Sequence, residues 1–267
     1  MSDAATARLM LPQPVYRTQN PGGWTLGWTG GQKPNEKVGR WNLKGNIMFK
    51  QSQAFNYLGI IGIGELGRRL NNWERNTFTM LTSCISTYLN GPNHPAQWDF
   101  VDVQDSSLRS LEGGRNNLGT QPSLVLVVLN RKSSGLMAEE YANVKQWGDR
   151  NVGIPTICVV WENLTKASQS GAITFQGFGV NIALKANIKL GGSNYDLQER
   201  FTALGNDETM IVGADTTHPG IHATTYCPSI AAVVASLDAG FTNYPGSMRL
   251  QDSKQEVRKF SPYVSVS

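Results

Sequence analysis

From residue 50 onward, apolar positions alternate between short runs and stretches with helical spacing. The run at 55–61 reads as a strand. Residues 66–89 read as a helix whose inward positions are Leu70, Trp73, Phe78 and Leu81. A second strand is predicted at 98–103. Residues 123–129 are almost uninterrupted apolar, which suits a strand covered on both faces in a parallel sheet. A helix is predicted over 137–150, with Met137, Tyr141, Val144 and Gly148 on one stripe. A buried strand follows at 155–161, then a helix over 179–190 with Val180, Ala183, Leu184 and Ile188 inward and Gly191-Gly192 as its C-cap. Strand and helix in alternation predict an α/β fold with a Rossmann-like, doubly wound parallel sheet.

The flanks have a different pattern. Residues 1–46 are rich in Gly, Pro, Asn and Thr and carry Trp24, Trp28 and Trp41 without a long periodic stretch; they read as an extended connector that docks some aromatic rings. Residues 193–208 are polar and irregular and mark a domain boundary. Strands are predicted beyond it at 209–214, 229–237 and 248–251, joined without helices, as an antiparallel meander. The domain limits that follow are a linker at 1–46, an α/β domain at 47–195 and part of a second domain at 196–267.

Composition adds little until charge is placed along the chain. With 267 residues, 40% apolar and 16% charged, the composition is that of a folded protein. The net charge of +4 permits an anionic partner. Between Arg131 and Lys189 there are seven Lys or Arg against four Asp or Glu, so most of the surplus lies in about a fifth of the chain. Cys84, Cys158 and Cys227 form no CxxC or Cys/His cluster, which argues against a disulfide framework and a zinc site and for a reduced, cytoplasmic setting. No apolar run approaches the ~20 residues that span a bilayer, and the first residues lack the pattern of a signal peptide. No membrane partner is expected.

Two constellations carry candidate chemistry. Tyr141 and Lys145 are four apart and share a helix face, and Asn181, Lys185 and Lys189 form a ridge on the later helix. If the two helices lie side by side, three ammonium groups and two neutral hydrogen-bonding groups converge, which suits a phosphate, and Tyr141 can stack on a base. Spacing alone favours a plainer reading: cations near a helix C-terminus are stabilised by the dipole, and Tyr141 can be a core residue with a wet hydroxyl. The second constellation is Asp215 in the segment GADTTHPG. A carboxylate ending a buried strand can ligate magnesium, with Glu256 as a second donor, or can cap the following turn. A third pattern, Gly62, Gly64 and Gly67 as GxGxxG, opens an alternative reading as an unrelated α/β dinucleotide binder. That reading expects an acidic residue about 20 positions on, and none occurs between Glu74 and Asp99.

Residues 209–256, TMIVGADTTHPG…PSIAAVVASLDAGFTNYPGSMRLQDSKQE, resemble the start of an Argonaute PIWI domain, which in eukaryotic members reads roughly GAD-x-THP, PSIAAVV-x-S-x-D, then R-x-Q…QE. Upstream, YANVKQWGD is similar to the YAEVK-R-x-GD segment of the Argonaute MID domain, NIALKANIKLGG to the helix that ends the family's phosphate pocket, and GRWNLKG to the end of the linker before MID. The similarity is patchy over 50–120 and specific after 123. The resemblance, to a eukaryotic Argonaute with a fungal one as the narrower reading, implies a MID domain at 47–195 followed by the first strands of an RNase H-like PIWI domain.

Carried over residue by residue, the resemblance implies that Tyr141 stacks on the first base of a small guide RNA, and that Lys145, Lys185 and Lys189 bind its 5′ phosphate with support from Asn181. Residues 130–140 would be the loop that senses the first base. The implied function is guide capture in RNA silencing, which needs no cofactor for the 5′ phosphate. Asp215 and Glu256 would be two of four slicer residues, with Asp215 a magnesium ligand only in a complete PIWI domain. Guide-directed cleavage of a target RNA is then an alternative for a full-length protein rather than for this chain. Three departures qualify the match. Ungapped counting puts Ile157 where the family often carries a Gln. The base-sensing loop is longer than in animal members. Residues 258–267, after Glu256, do not resemble the family, which suggests a truncated or mis-spliced slicer domain.

Overall fold

The computed structural model describes residues 14–20, 23–27, 47–64, 70–129, 137–197, 209–220, 227–238, 241 and 243–253. The chain divides into two compact units, Met1–Gln198 and Glu199–Ser267.

The first unit is built on a four-stranded sheet of β4 (Tyr57–Ile63), β5 (Gln97–Val103), β6 (Leu124–Leu129) and β7 (Thr156–Val160), in the order β5-β4-β6-β7. All its pairings are parallel. Every residue of β6 is buried, as its unbroken apolar run predicts for a sheet covered on both faces. Period-two alternation sorts the side chains cleanly. Leu58, Ile60, Leu124, Leu126, Val128, Ile157 and Val159 enter one core, whereas Ile61, Ile63, Val125, Val127 and Leu129 enter the other.

Helices α1 (Asn72–Leu89), α4 (Trp161–Gln169) and α5 (Ala172–Lys189) supply the first core with Phe78, Leu81, Leu164, Phe175 and Val180. Helices α2 (Leu108–Asn116) and α3 (Met137–Gln146) supply the second with Leu111 and Val144. Each such side chain contributes ~1.5–3 kcal/mol on burial. The doubly wound architecture expected from the alternation is therefore present.

Several boundaries differ from the pattern reading. Helix α1 starts at Asn72 because Asn71 caps it: its side chain accepts from the Glu74 amide at 2.9 Å, and Glu74 accepts from the Asn71 amide at 2.7 Å. Residues 66–69 of the expected helix lie outside the described ones. Trp73 is 40% exposed and packs edge-on against Trp161, 6.0 Å away, and Trp161 opens α4 rather than closing a strand. Helix α2, polar and with two glycines, was not anticipated. Helix α5 extends seven residues further toward its N-terminus than expected.

The segment read as a connector also contains elements. Strands β1 (Pro14–Asn20) and β2 (Gly23–Gly27) form an antiparallel pair, and β1 also pairs with β3 (Ile47–Met48) and β8 (Asp196–Leu197).

The second unit contains the expected antiparallel meander, in the order β11-β10-β9: β9 (Val212–Thr217), β10 (Ser229–Ala235) and β11 (Gly246–Gln251). Asp215 lies within β9 and is exposed, not at the end of a buried strand. Among the described residues, no helix is long and apolar enough to cross a membrane.

Candidate anion-binding site

Strand β7 is the sheet edge next to β6, and α3 and α5 both pack against it. Alternate carbonyls of an edge strand have no ladder partner. The Pro155 carbonyl accepts from the Val125 amide, so the Thr156 carbonyl points the other way. Lys145, in the last turn of α3, fills that position. Its ammonium donates to the Thr156 carbonyl at 2.6 Å and to the Thr156 hydroxyl at 2.8 Å. Two of its three protons are thus used and one remains for a ligand.

The same ammonium lies 5.5 Å from the centre of the Tyr141 ring. Tyr141 is 49% exposed and so is not the core residue that its apolar stripe suggested. Of that stripe Val144 and Gly148 are buried, and the helix runs on into a single wider π turn at Trp147–Val152. Trp147 is buried as well, and its indole N–H donates to Glu112 at 3.0 Å. Gly148 then presses on β7, where a Cβ would stand 2.5 Å from the Thr156 methyl carbon.

On α5, Asn181, Lys185 and Lys189 are all exposed, on the one ridge the spacing predicts. The two helices lie on opposite faces of the sheet rather than side by side, α3 at the second core and α5 at the first, and both border β7. Burial lowers the Lys145 pKa below the ordinary lysine value, and the charges of Lys189 and Lys185 push it further down, against Cys158 and Asp149. Burial likewise raises the Cys158 thiol, opposed by Lys145 and Lys189. The charges of Lys185 and Lys189 on α5 therefore reach Lys145 on α3, and an anion beside Lys145 offsets that repulsion.

Ile157 is buried in the first core, so the position where the resemblance expects a Gln does not reach this site. Its neighbours Thr156 and Cys158 do, and the period-two alternation along 156–160 was the signal that could have found them. Ile188, expected inward, is 50% exposed; Asn187 is the residue buried there. The glycine cap is as expected: Gly191 has φ +89°, its amide donates to Ile188, and the Gly192 amide donates to Asn187.

The other candidates are less complete. Asp215 pairs across the meander with Ala232, itself opposite Met248, and its carboxylate accepts from the Thr216 amide at 2.8 Å. Glu256 lies outside the described residues, as do residues 130–136 of the expected base-sensing loop. No group of three or more His, Cys, Asp or Glu side chains that could hold a metal ion occurs among the described residues. Of the two expected slicer carboxylates only Asp215 is among the described residues, and one carboxylate is too few to hold a magnesium pair. Of the GxGxxG pattern, Gly67 lies outside the described residues, Gly62 belongs to β4, and the Gly64 amide donates to the Val103 carbonyl at 2.9 Å. That amide is used in pairing and not in a phosphate cradle, and the comparisons below do not favour a dinucleotide binder.

Among solved structures, the chain is similar to Kluyveromyces polysporus Argonaute with a guide RNA (TM-score 0.65, 21% identity, 93% of this chain and 28% of that one). It is also similar to the MID-PIWI domains of the Neurospora crassa Argonaute QDE-2 (TM-score 0.57, 22% identity, 76% of this chain and 54% of that one). These likenesses show the fold, an α/β MID unit with the opening strands of a PIWI unit. By sequence, the chain is 31% identical over 136 residues to the Schizosaccharomyces pombe protein argonaute, covering 51% of this chain and 15% of that protein. It is 33% identical over 166 residues to Arabidopsis thaliana protein argonaute 7, covering 59% of this chain and 15% of that protein. The match thus spans only a small part of these relatives' length. The family model for the Piwi domain matches residues 124–264, more than half of the chain, and on that match the chain belongs to the Piwi domain family.

Proposed function

We propose that this chain anchors the 5′ end of a small guide RNA, with the terminal phosphate held by Lys145, Lys185 and Lys189 and the first base resting on Tyr141. The observation that carries this reading is Lys145 fixed on the edge strand β7 with an exposed aromatic ring beside it, and near enough to Lys185 and Lys189 of α5 for their charges to bear on it. With Thr156 holding the ammonium in place, the third N–H of Lys145 is left to give the phosphate a charge-assisted bond. Lys185 and Lys189, in the last turns of α5, lie where the helix dipole favours cations, and Asn181 extends the same ridge. Three positive charges match a dianionic phosphate without a metal ion. The guide RNA in the Kluyveromyces polysporus Argonaute supports the choice of partner. In a whole protein, a target RNA would pair with the anchored guide.

The test is an NMR titration of the full chain with uridine and with uridine 5′-monophosphate. The monophosphate is expected to bind more tightly and to shift signals of Tyr141, Lys145, Lys185 and Lys189. Equal affinity, or shifts confined to other lysines, contradicts the proposal.

A further inference from the structure

Asn187 stands between Lys185 and Lys189 on α5, yet its side chain is wholly buried. At this place in a glycine-capped helix end, the residue three before the cap usually makes an apolar contact with the chain beyond it. Here the contact is an amide, and burying an amide is costly unless it is bonded. The Asn187 amide is fully bonded. Its oxygen accepts from the Gln53 amide at 2.9 Å. Its nitrogen donates to the Gln51 carbonyl at 3.0 Å and to the Asn194 side-chain oxygen at 2.9 Å. Asn194 in turn donates to the Leu184 carbonyl at 3.0 Å, one residue before Lys185.

Backbone bonds close the same joint. The Lys50 amide donates to Asn194, and Gln51 and Ser193 exchange amide-to-carbonyl bonds, both at 2.9 Å. Gly192 lies so close that a Cβ would overlap the Asn187 amide oxygen and approach the Gln51 carbonyl at 2.6 Å. The last two turns of α5 are thereby fastened to residues 50–53, where the chain enters the α/β unit. Two exposed lysines with long side chains otherwise have only a fraying helix end to hold them.

We infer that Asn187 is a positioning residue for the phosphate site, setting Lys185 and Lys189 by locking the end of α5 to residues 51–53. This rests on the proposed function. A network in which each member satisfies another is rigid, and partial loss leaves buried donors and acceptors unpaired.

The experiment uses the full chain as wild type, Asn187→Leu, Gly192→Ala and a control, Ile60→Val, in the central strand. Affinities for uridine 5′-monophosphate and uridine are measured well below each melting temperature, so that all compared molecules are folded. Asn187→Leu and Gly192→Ala are expected to reduce the ratio of the two affinities about tenfold, while Ile60→Val lowers the melting temperature and leaves the ratio unchanged. An unchanged ratio in folded Asn187→Leu and Gly192→Ala overturns the inference, because a merely structural residue alters stability and not discrimination. If neither variant folds, the side-chain amide signals of Asn187 in the wild type decide. A shift on adding the monophosphate but not uridine supports the role, and no shift overturns it. A wild type that does not discriminate between the two ligands refutes the proposed function itself, whereas discrimination with unaffected variants refutes only the role of Asn187.

Discussion

Replacing Lys145 with Met separates what the lysine does for the fold from what it does for a ligand. In the ligand-free protein, the change removes two bonds to Thr156, at 2.6 and 2.8 Å. It also removes a half-buried ammonium repelled by Lys185 and Lys189. These effects oppose each other, so unfolding stability is expected to change by no more than about 1 kcal/mol. The ligand effect has no such offset. A hydrogen bond to a charged group is worth ~1.5–3 kcal/mol, so affinity for a nucleoside 5′-monophosphate should fall roughly ten- to hundredfold. Affinity for the unphosphorylated nucleoside should stay within about twofold. Urea denaturation and calorimetric titration of one preparation measure both quantities. The reasoning is refuted if phosphate affinity is unchanged, or if nucleoside affinity falls by the same factor, since the lysine would then act on the fold or the base.

Further outcomes follow from the same geometry. Phosphate affinity should rise with pH through the phosphate's second ionisation near ~6. It should then fall as Lys145 loses its proton, starting below the ordinary lysine value of ~10.4 because its pKa is lowered in the free protein. The unfolded chain keeps that proton to higher pH than the folded one, so stability moves the other way and rises across that window; binding and denaturation series over pH check both signs. Thr156→Val removes the hydroxyl acceptor but keeps the carbonyl, so phosphate affinity should drop only a few-fold, read by the same titration. Gly148→Ala forces a methyl group against Thr156 and should cost ~1–3 kcal/mol in urea denaturation.

Much of this was legible in the sequence, and the exceptions have physical causes. The apolar runs at β4, β6 and β7 give the parallel sheet directly, because strands buried on both faces show no polar interruption. The ridge of Asn181, Lys185 and Lys189 follows from i, i+4 spacing. That spacing misled at Ile188: two steps of four residues carry a position ~80° around the helix from Val180, whereas seven residues return to within ~20°, which is where Asn187 sits. Tyr141 shares its spacing with Val144 and Gly148, which are buried, and only the tertiary setting leaves its ring exposed beside Lys145. Helix α2 was missed because its sequence LRSLEGGRN is polar and holds two glycines, and its formation rests on the Ser107 cap and on Leu111 in the core. The roles of Thr156 and Asn187 are tertiary: each is defined by partners on other elements, Lys145 of α3 for one and the distant Gln51 and Gln53 for the other.

The most direct test of guide anchoring is the binding of one short single-stranded RNA prepared with a 5′ phosphate and with a 5′ hydroxyl, followed by fluorescence anisotropy over a range of salt concentrations. The phosphorylated form should bind at least tenfold more tightly, with a steeper loss of affinity as salt rises, if the three lysines contact the terminal phosphate as proposed. Equal affinities with equal salt slopes would contradict the account.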